Sequence, residues 1–236
     1  MKIFAISDFH LSISNPKPMD IFGHIWDNYL ESIEKDWEKK VSDDDIVLIP
    51  GDLSWAMTLD GVKSNLEYFN RFKGYKVIIR GNHDYWWSHS ISKVRSILPQ
   101  KMYAIQCDAV KIGRAVICGS RLWTTPEPGR KQEAQDETIY NREKIRLQMS
   151  LEEASKIRQP EDKLYVMLHF PPFNSKFLPS PYTDIISSFS PDAAVYGHLH
   201  GKDIRVSYVT EIGGVKYYLT SCDLVGNKLV YIDEIQ

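Results

Sequence analysis

Five short apolar runs in this chain each end in a polar cluster. Lys2–Ile6 leads into Ser7-Asp8-Phe9-His10, and Ile46–Ile49 into Pro50-Gly51-Asp52-Leu53. Lys76–Ile79 leads into Arg80-Gly81-Asn82-His83-Asp84, Leu164–Leu168 into His169-Phe170-Pro171-Pro172, and Ala193–Tyr196 into Gly197-His198-Leu199-His200. The runs are continuous rather than alternating, the pattern of strands buried on both faces. Between the first few lie stretches with helical periodicity. Asp20–Lys40 carries Ile21, Ile25, Trp26, Tyr29, Ile33 and Trp37 on one face, and Val62–Phe72 and Trp86–Leu98 are similar. Strand and helix in alternation predict an α/β chain with parallel βαβ units. Towards the C-terminus the pattern changes. Lys202–Thr210, Val215–Thr220 and Lys228–Ile232 read as strands joined at Gly213-Gly214 and Gly226-Asn227, which predicts hairpins and a second, partly antiparallel sheet. Glu133–Arg158 begins with acids and ends with bases, as a helix prefers. Together with the Thr124–Arg130 loop it is expected as a helical cap inserted around residues 121–160 or as an exposed helix. No repeat or linker divides the chain, so residues 1–236 are expected to form a single domain.

Composition narrows the function classes. A net charge of −2 gives no global basic field, which disfavours nucleic acid as a partner and leaves only a local basic groove open. Cys107, Cys118 and Cys222 are odd in number and form no CxxC pair, so they read as buried thiols in a reducing compartment rather than a disulfide framework. The start MKIFAISD is too short for a secretory core, and no apolar run reaches the roughly 18 residues of a membrane span. A soluble, cytoplasmic protein is expected, and the oligomeric state is left open. The Asp43-Asp44-Asp45 run reads as a solvated loop.

In open parallel sheets, ligands bind outside the carboxyl ends of the strands. Five of the seven histidines lie in the strand-end clusters; His24 and His89 are the others. Taken singly each cluster has a bland reading. Asp8-Phe9-His10 is a loop hydrogen-bond pair, Gly51-Asp52 and Asn82 are turn residues, and His169 is a core histidine. Taken together they form a set: Asp8, His10, Asp52, Asn82, His169, His198 and His200. Seven oxygen and nitrogen donors are too many for one tetrahedral zinc and suit two ions sharing one carboxylate. Two divalent cations against two aspartates leave a positive centre that attracts an anion such as a phosphoryl group. Water held between the ions would be deprotonated near neutral pH and attack phosphorus in line. Imidazole with carboxylate and no thiolate allows Mn, Fe or Zn.

The ordered series Asp8-Phe9-His10, Gly51-Asp52, Gly81-Asn82-His83-Asp84, His169 and Gly197-His198-Leu199-His200 resembles the calcineurin-like metallophosphoesterase superfamily. The resemblance spans positions 8 to 200 and implies a four-layer α/β/β/α sandwich of two mixed sheets. It implies that Asp8, His10 and His200 hold one ion, that Asn82, His169 and His198 hold the other, and that Asp52 bridges them. It also implies that His83 is the catalytic histidine that protonates the leaving oxygen, with Asp84, which stands where the family often has Glu, orienting it. The residues point the same way for His83. If Asn82 faces the ions at the end of a strand, its neighbour faces the substrate, and an adjacent acid is expected to raise its pKa. Gly81 is expected to permit a tight turn.

The walls of such a site decide its substrate. Candidates are Ser54-Trp55, Tyr85-Trp86-Trp87, Phe170–Phe173 and Arg121-Leu122-Trp123, with Arg80, Arg121, Arg130 and Lys131 as possible phosphate-binding cations. Trp55, Arg80 and Arg121 are the named substrate-binding candidates. Trp86 and Trp87 fit core packing or a substrate wall. The expected activity is metal-dependent hydrolysis of a phosphomonoester or phosphodiester of a small phosphorylated molecule. A protein phosphatase or nuclease on the same core is the alternative, and a non-catalytic scaffold keeping the fold is the contrasting class.

Overall fold

The computed structural model describes residues 1–236 apart from 14, 15, 18, 89, 131, 202, 203 and 205. Lys131, His89 and the start of the strand expected at Lys202–Thr210 therefore lie outside the described residues. Among the described residues the strands are β1 Lys2–Ala5, β2 Ile46–Ile49, β3 Tyr75–Ile78, β4 Met102–Ala104, β5 Ala109–Ile112, β6 Ala115–Ser120, β7 Lys163–Leu168, β8 Ala193–Tyr196, β9 Val209–Ile212, β10 Val215–Leu219 and β11 Val230–Glu234. The α-helices are α1 Tyr29–Lys40, α2 Lys63–Glu67, α3 Ile91–Arg95, α4 Ala134–Ile157 and α5 Pro181–Ser188.

The strands form two mixed sheets, ordered β11-β1-β2-β3-β4 and β5-β6-β7-β8-β10-β9. In the first, β1 to β4 are parallel and β11 runs antiparallel to β1. In the second, β6, β7, β8 and β10 are parallel and the antiparallel β5 and β9 form the edges. Alternation along each strand divides the side chains between layers. Ile3 and Ala5 of β1 join Leu48, Val77, Ile117, Met167 and Val195 in an apolar layer between the sheets. Phe4 of β1 faces the other way, into the cluster that holds Ile33 and Trp37 of α1. On the outer face of the second sheet, Val116 and Val166 meet Leu147 and Leu151 of α4 and Ile186 of α5. This is the α/β/β/α sandwich. Leu48 is fully buried between the sheets, so truncation to alanine there costs about 2–5 kcal/mol.

Several expectations are corrected. Helix α1 starts at Tyr29 because Asn28 takes a left-handed φ of 51°; the preceding Asp20–Trp26 stretch forms two short 3-10 turns around Gly23. Trp86–Leu98 contributes helix only at Ile91–Arg95. Gly226-Asn227 does not close a hairpin, since β11 crosses to the first sheet to pair with β1. The 121–160 segment supplies the outer layer of the second sheet rather than a cap: Tyr140, Leu147, Leu151 and Ala154 of α4 are buried against it. Asp45 is buried, because its carboxylate accepts the N–H groups of Lys2 (2.7 Å) and Ser42 (2.8 Å).

Candidate metal centre

Parallel register aligns the strand ends. Ile49 lies beside Ile78, and Leu168 beside Ser120 and Tyr196, so the clusters that follow leave the sheets at one edge. A bridge between Ser7 and Ser221 fastens the two sheets there. Four of the seven expected ligands occupy the left-handed region: Asp8 (φ 63°), His10 (49°), Asp52 (51°) and His198 (70°). Such backbone is costly for residues other than glycine and gathers where the surrounding structure holds side chains in a set direction. Three glycines at the site are required for space, and a β-carbon at Gly51 would meet His169 Nδ1 and the Gly81 backbone. A β-carbon at Gly81 would collide with the Asp52 backbone and carboxylate, and one at Gly197 with Ser7 and Asp8. Gly81 itself has no left-handed φ, so close approach, not a tight turn, is what it provides.

All seven expected ligands converge. Asp8, His10 and His200 bring one donor atom each to within 4.8 Å of one another, as do Asp8, Asp52 and His169. His200 Nε2 lies 3.2 Å from Asp8 Oδ1 and 3.4 Å from His10 Nε2. Asn82 Oδ1 lies 2.6 Å from His169 Nε2 and 2.8 Å from His198 Nδ1. Asp52 stands between the groups, with Oδ2 3.9 Å from His10 Nε2 and Oδ1 3.5 Å from His169 Nε2.

The donor set fits cations. Ring nitrogens of His10 and His200 face each other beside a carboxylate, and His10 Nδ1 is buried without a partner among the described residues. His169 uses Nδ1 to donate to the Pro50 carbonyl (3.0 Å), which turns its Nε2 lone pair inwards. Burial lowers the pKa of His10 and of His198 to about 3 and also lowers that of His169, so these rings are neutral at pH 7, the form in which imidazole can bind a cation. His200 behaves oppositely. Burial works against its charge, but Asp8 and Asp223 outweigh it and raise the pKa to about 10. Asp8 is held well below the usual carboxylate range: burial pushes it up, and His200, His169 and His10 more than compensate. Asp52 is pushed well above that range by burial first and by the nearby Asp8 and Asp84 carboxylates next. A divalent cation beside Asp52 would relieve that repulsion.

The catalytic candidates divide. His83 is half-buried at the edge of the centre. Its N–H donates to Asp52 Oδ1 (2.7 Å), its ring packs on Trp55 at 4.5 Å, and its Nδ1 lies 3.2 Å from the Tyr85 hydroxyl. Burial, then His169, lowers its pKa, contrary to the expected rise. Asp84 does not hold it. The Asp84 carboxylate is fully buried and accepts from the N–H groups of Leu53 (3.0 Å), Ser54 (3.1 Å) and Gly81 (2.7 Å) and from Trp86 Nε1 (2.9 Å). Its place is under the site, tying the loop after β2 to the loop after β3. Trp86 and Trp87 belong to the core, 2% and 3% exposed, and their indole N–H groups are satisfied by Asp84 and Gln106. Tyr85 alone of the three rings reaches the surface beside the site.

Among the wall candidates, Trp55 stacks on His10 at 4.8 Å and 22° and lies tilted against His83. Phe170 packs on His198 at 3.9 Å and, with Phe173, Phe177 and Leu199, lines a pocket of about 340 Å³ next to that ligand. Arg80 and Arg121 open into a smaller pocket on another side. Arg130 lies on the exposed loop. Two neighbours escaped the reading of the sequence. Asp223 accepts from His200 Nδ1 at 2.9 Å, and Trp26 flanks His10 and His200. Asp223 had a signal, since Thr220-Ser221-Cys222-Asp223 is a polar cluster after β10, built like the other five. Trp26 had none, because it arrives from a 3-10 turn with no strand end nearby.

No curated protein matches the chain. The fold is similar to a protein of unknown function from Aquifex aeolicus, at 12% identity over 98% of this chain and 95% of the other, with a TM-score of 0.51. It is similar also to the phosphopantetheinyl hydrolase of Mycobacterium tuberculosis, at 16% identity over 93% and 88%, with a TM-score of 0.51. At these identities the likeness is one of fold. Residues 1–202 match calcineurin-like phosphoesterase as a family, and with two mixed sheets under one edge of converging aspartates and histidines, the chain belongs to that family.

Proposed function

We propose that this protein is a phosphohydrolase that cleaves a phosphomonoester or phosphodiester of a small molecule at a centre of two divalent cations. The observation that carries the reading is the position of Asp52, whose two oxygens face His10 on one side and His169 on the other. Asp8, His10 and His200 would hold one ion, Asn82, His169 and His198 the other, and Asp52 would lie against both. Bound ions of this kind supply Lewis-acid charge to a phosphoryl group and lower the pKa of water. The chain's own residues do the rest. Asp223 and the Pro50 carbonyl fix the rotation and tautomer of His200 and His169. His83, half-buried beside the centre, delivers a proton to the leaving oxygen. The pocket beside His198 is lined mainly by Phe170, Phe173, Phe177 and Leu199 and suits an uncharged part of the substrate. A phosphopantetheinyl ester, the group the name of the mycobacterial hydrolase gives for that protein, carries an uncharged chain and matches such a wall. We read residues 1–236 as one domain.

The test is a panel of phosphomonoesters and phosphodiesters, a phosphopantetheinyl diester among them, assayed with the Mn²⁺-loaded protein. Turnover of at least one class with close to two ions per chain is expected. Fewer than one ion per chain after loading would sink the two-cation reading, and inactivity on every ester with the ions in place would favour a scaffold.

A further inference from the structure

A second pocket of about 60 Å³ lies between the ends of β3, β4 and β6 and the helix α4, with Arg80, Arg121, Arg146 and Glu143 in its lining. Its charge is unbalanced. Glu143 is 1% exposed and is shared: Oε1 lies 2.8 Å from Arg146 Nη1 and 3.6 Å from Arg121 Nη2, and Oε2 accepts from Ser120 Oγ at 2.9 Å. Within the lining, three guanidiniums against one carboxylate leave two positive charges, and Arg142 Nε outside it also lies 3.9 Å from Glu143 Oε1. Arg80 accounts for one of them. Its Nε is buried and has no hydrogen-bond partner among the described residues. A buried N–H without a partner costs free energy, and a bound oxyanion would remove that cost.

The pocket adjoins the candidate metal centre. Arg80 stands two residues before Asn82, a span of at most about 7 Å. Arg121 follows β6, and its carbonyl accepts from Phe170 N (2.9 Å), the residue after His169. Trp123 continues the wall, with the Arg121 guanidinium 4.9 Å from its ring and Phe170 at 5.1 Å. We propose that this pocket binds a second phosphoryl group of the substrate, so that the enzyme selects small molecules bearing two phosphates. The proposal rests on the phosphoesterase reading of the adjoining centre. A doubly charged phosphate matches the two uncompensated guanidiniums, and planar Arg donors suit its oxygens.

The test compares alkanediol bisphosphates of two to six carbons with the monophosphates of the same diols on the Mn²⁺-loaded enzyme. For at least one length, kcat/KM for the bisphosphate should exceed that for the monophosphate by about tenfold or more, chiefly through KM. Arg80→Met and Arg146→Gln should each bring that ratio towards one, and Arg80→Lys should retain part of it. No preference at any length, or a preference that survives in both variants, would overturn the proposal. Calorimetric titration of the metal-loaded protein with inorganic phosphate supplies a readout free of turnover. Two binding events are expected in the parent and one in Arg80→Met, with thermal melts checking that the variant folds. A single event in the parent counts against the pocket. Two events, one of them lost in Arg80→Met, in a protein that hydrolyses no ester would uphold the anion pocket and sink the phosphoesterase reading.

Discussion

The Nδ1 of His200 lies 2.9 Å from Oδ1 of Asp223, while the other carboxylate oxygen of Asp223 accepts the Gly201 N–H at 3.0 Å. One buried carboxylate thus fixes both the ring and the backbone of a candidate ligand. Its removal frees the ring to rotate and lowers its basicity. Partners of this kind are typically worth about 10–100-fold in metal affinity. Asp223→Ala is therefore expected to weaken one of the two proposed ions by about that factor and leave the other in place. Chelator competition, followed by metal analysis of the retained ion, measures it.

Asp84 gathers four donors from two loops, so its loss is a fold defect before it is a catalytic one. Asp84→Ala strands the N–H groups of Leu53, Ser54 and Gly81 and the Trp86 indole in a buried place. The expected cost is about 3 kcal/mol, or about 6–12 °C in Tm for a chain of this size. Asp84→Asn keeps one acceptor oxygen and turns an amide towards Gly81 N–H, so it should fall between the two. Thermal melts decide it: an unchanged Tm in Asp84→Ala would mean that the carboxylate does not hold the loops.

Lys76 offers a stability test away from the site. It is 3% exposed in β3, and its ammonium donates to the Phe72 carbonyl at 2.8 Å. Burial first, and Lys101 next, lower its pKa to about 8. The unfolded chain holds this proton more tightly than the folded one, so the group destabilises the fold below about pH 8. That penalty fades as pH rises towards the ordinary lysine value. Lys76→Met removes it. The stability advantage of the variant over the parent should therefore shrink by about 1–3 kcal/mol between pH 7 and pH 10. Denaturant unfolding at the two pH values measures the change, and an advantage that grew with pH would refute the assignment.

What was legible in the sequence was whatever sits at the end of a buried parallel strand. Asp8, Asp52, Asn82, His169 and His198 follow continuous apolar runs, and the parallel register carries them all to one edge. What was not legible depends on which way a side chain turns or on which strands become neighbours. Asp84 is adjacent to His83 in sequence but points under the site, because three loop N–H groups and an indole already claim its oxygens. Trp86 and Trp87 fitted either wall or core, core the better, and their N–H bonds to Asp84 and Gln106 place them in the core. Asp223 reaches His200 only because β10 lies beside β8 in the second sheet. Strands β4 to β6 were missed because they follow one another over a few residues with no helix between them. The hairpin expected at Gly226-Asn227 failed because β11 finds its partner, β1, more than 200 positions away in sequence.

His83 is the residue whose proposed chemistry is most exposed to test. Its backbone is anchored by Asp52, and its ring is held between Trp55 and the Tyr85 hydroxyl, but none of these contacts makes it one of the seven converging donors. His83→Ala should therefore keep both ions and lower kcat by about 10²–10⁴. A ligand role would instead show as lost metal. Proton donation leaves a further mark: the loss should be large for alkyl esters, whose leaving oxygen needs a proton, and small for p-nitrophenyl esters, which leave as stable anions. Tyr85→Phe, which removes only the hydroxyl at Nδ1, should cost about tenfold or less in kcat. A His83→Ala defect of equal size for both kinds of ester would assign the ring to binding the phosphoryl group rather than to protonating the leaving oxygen.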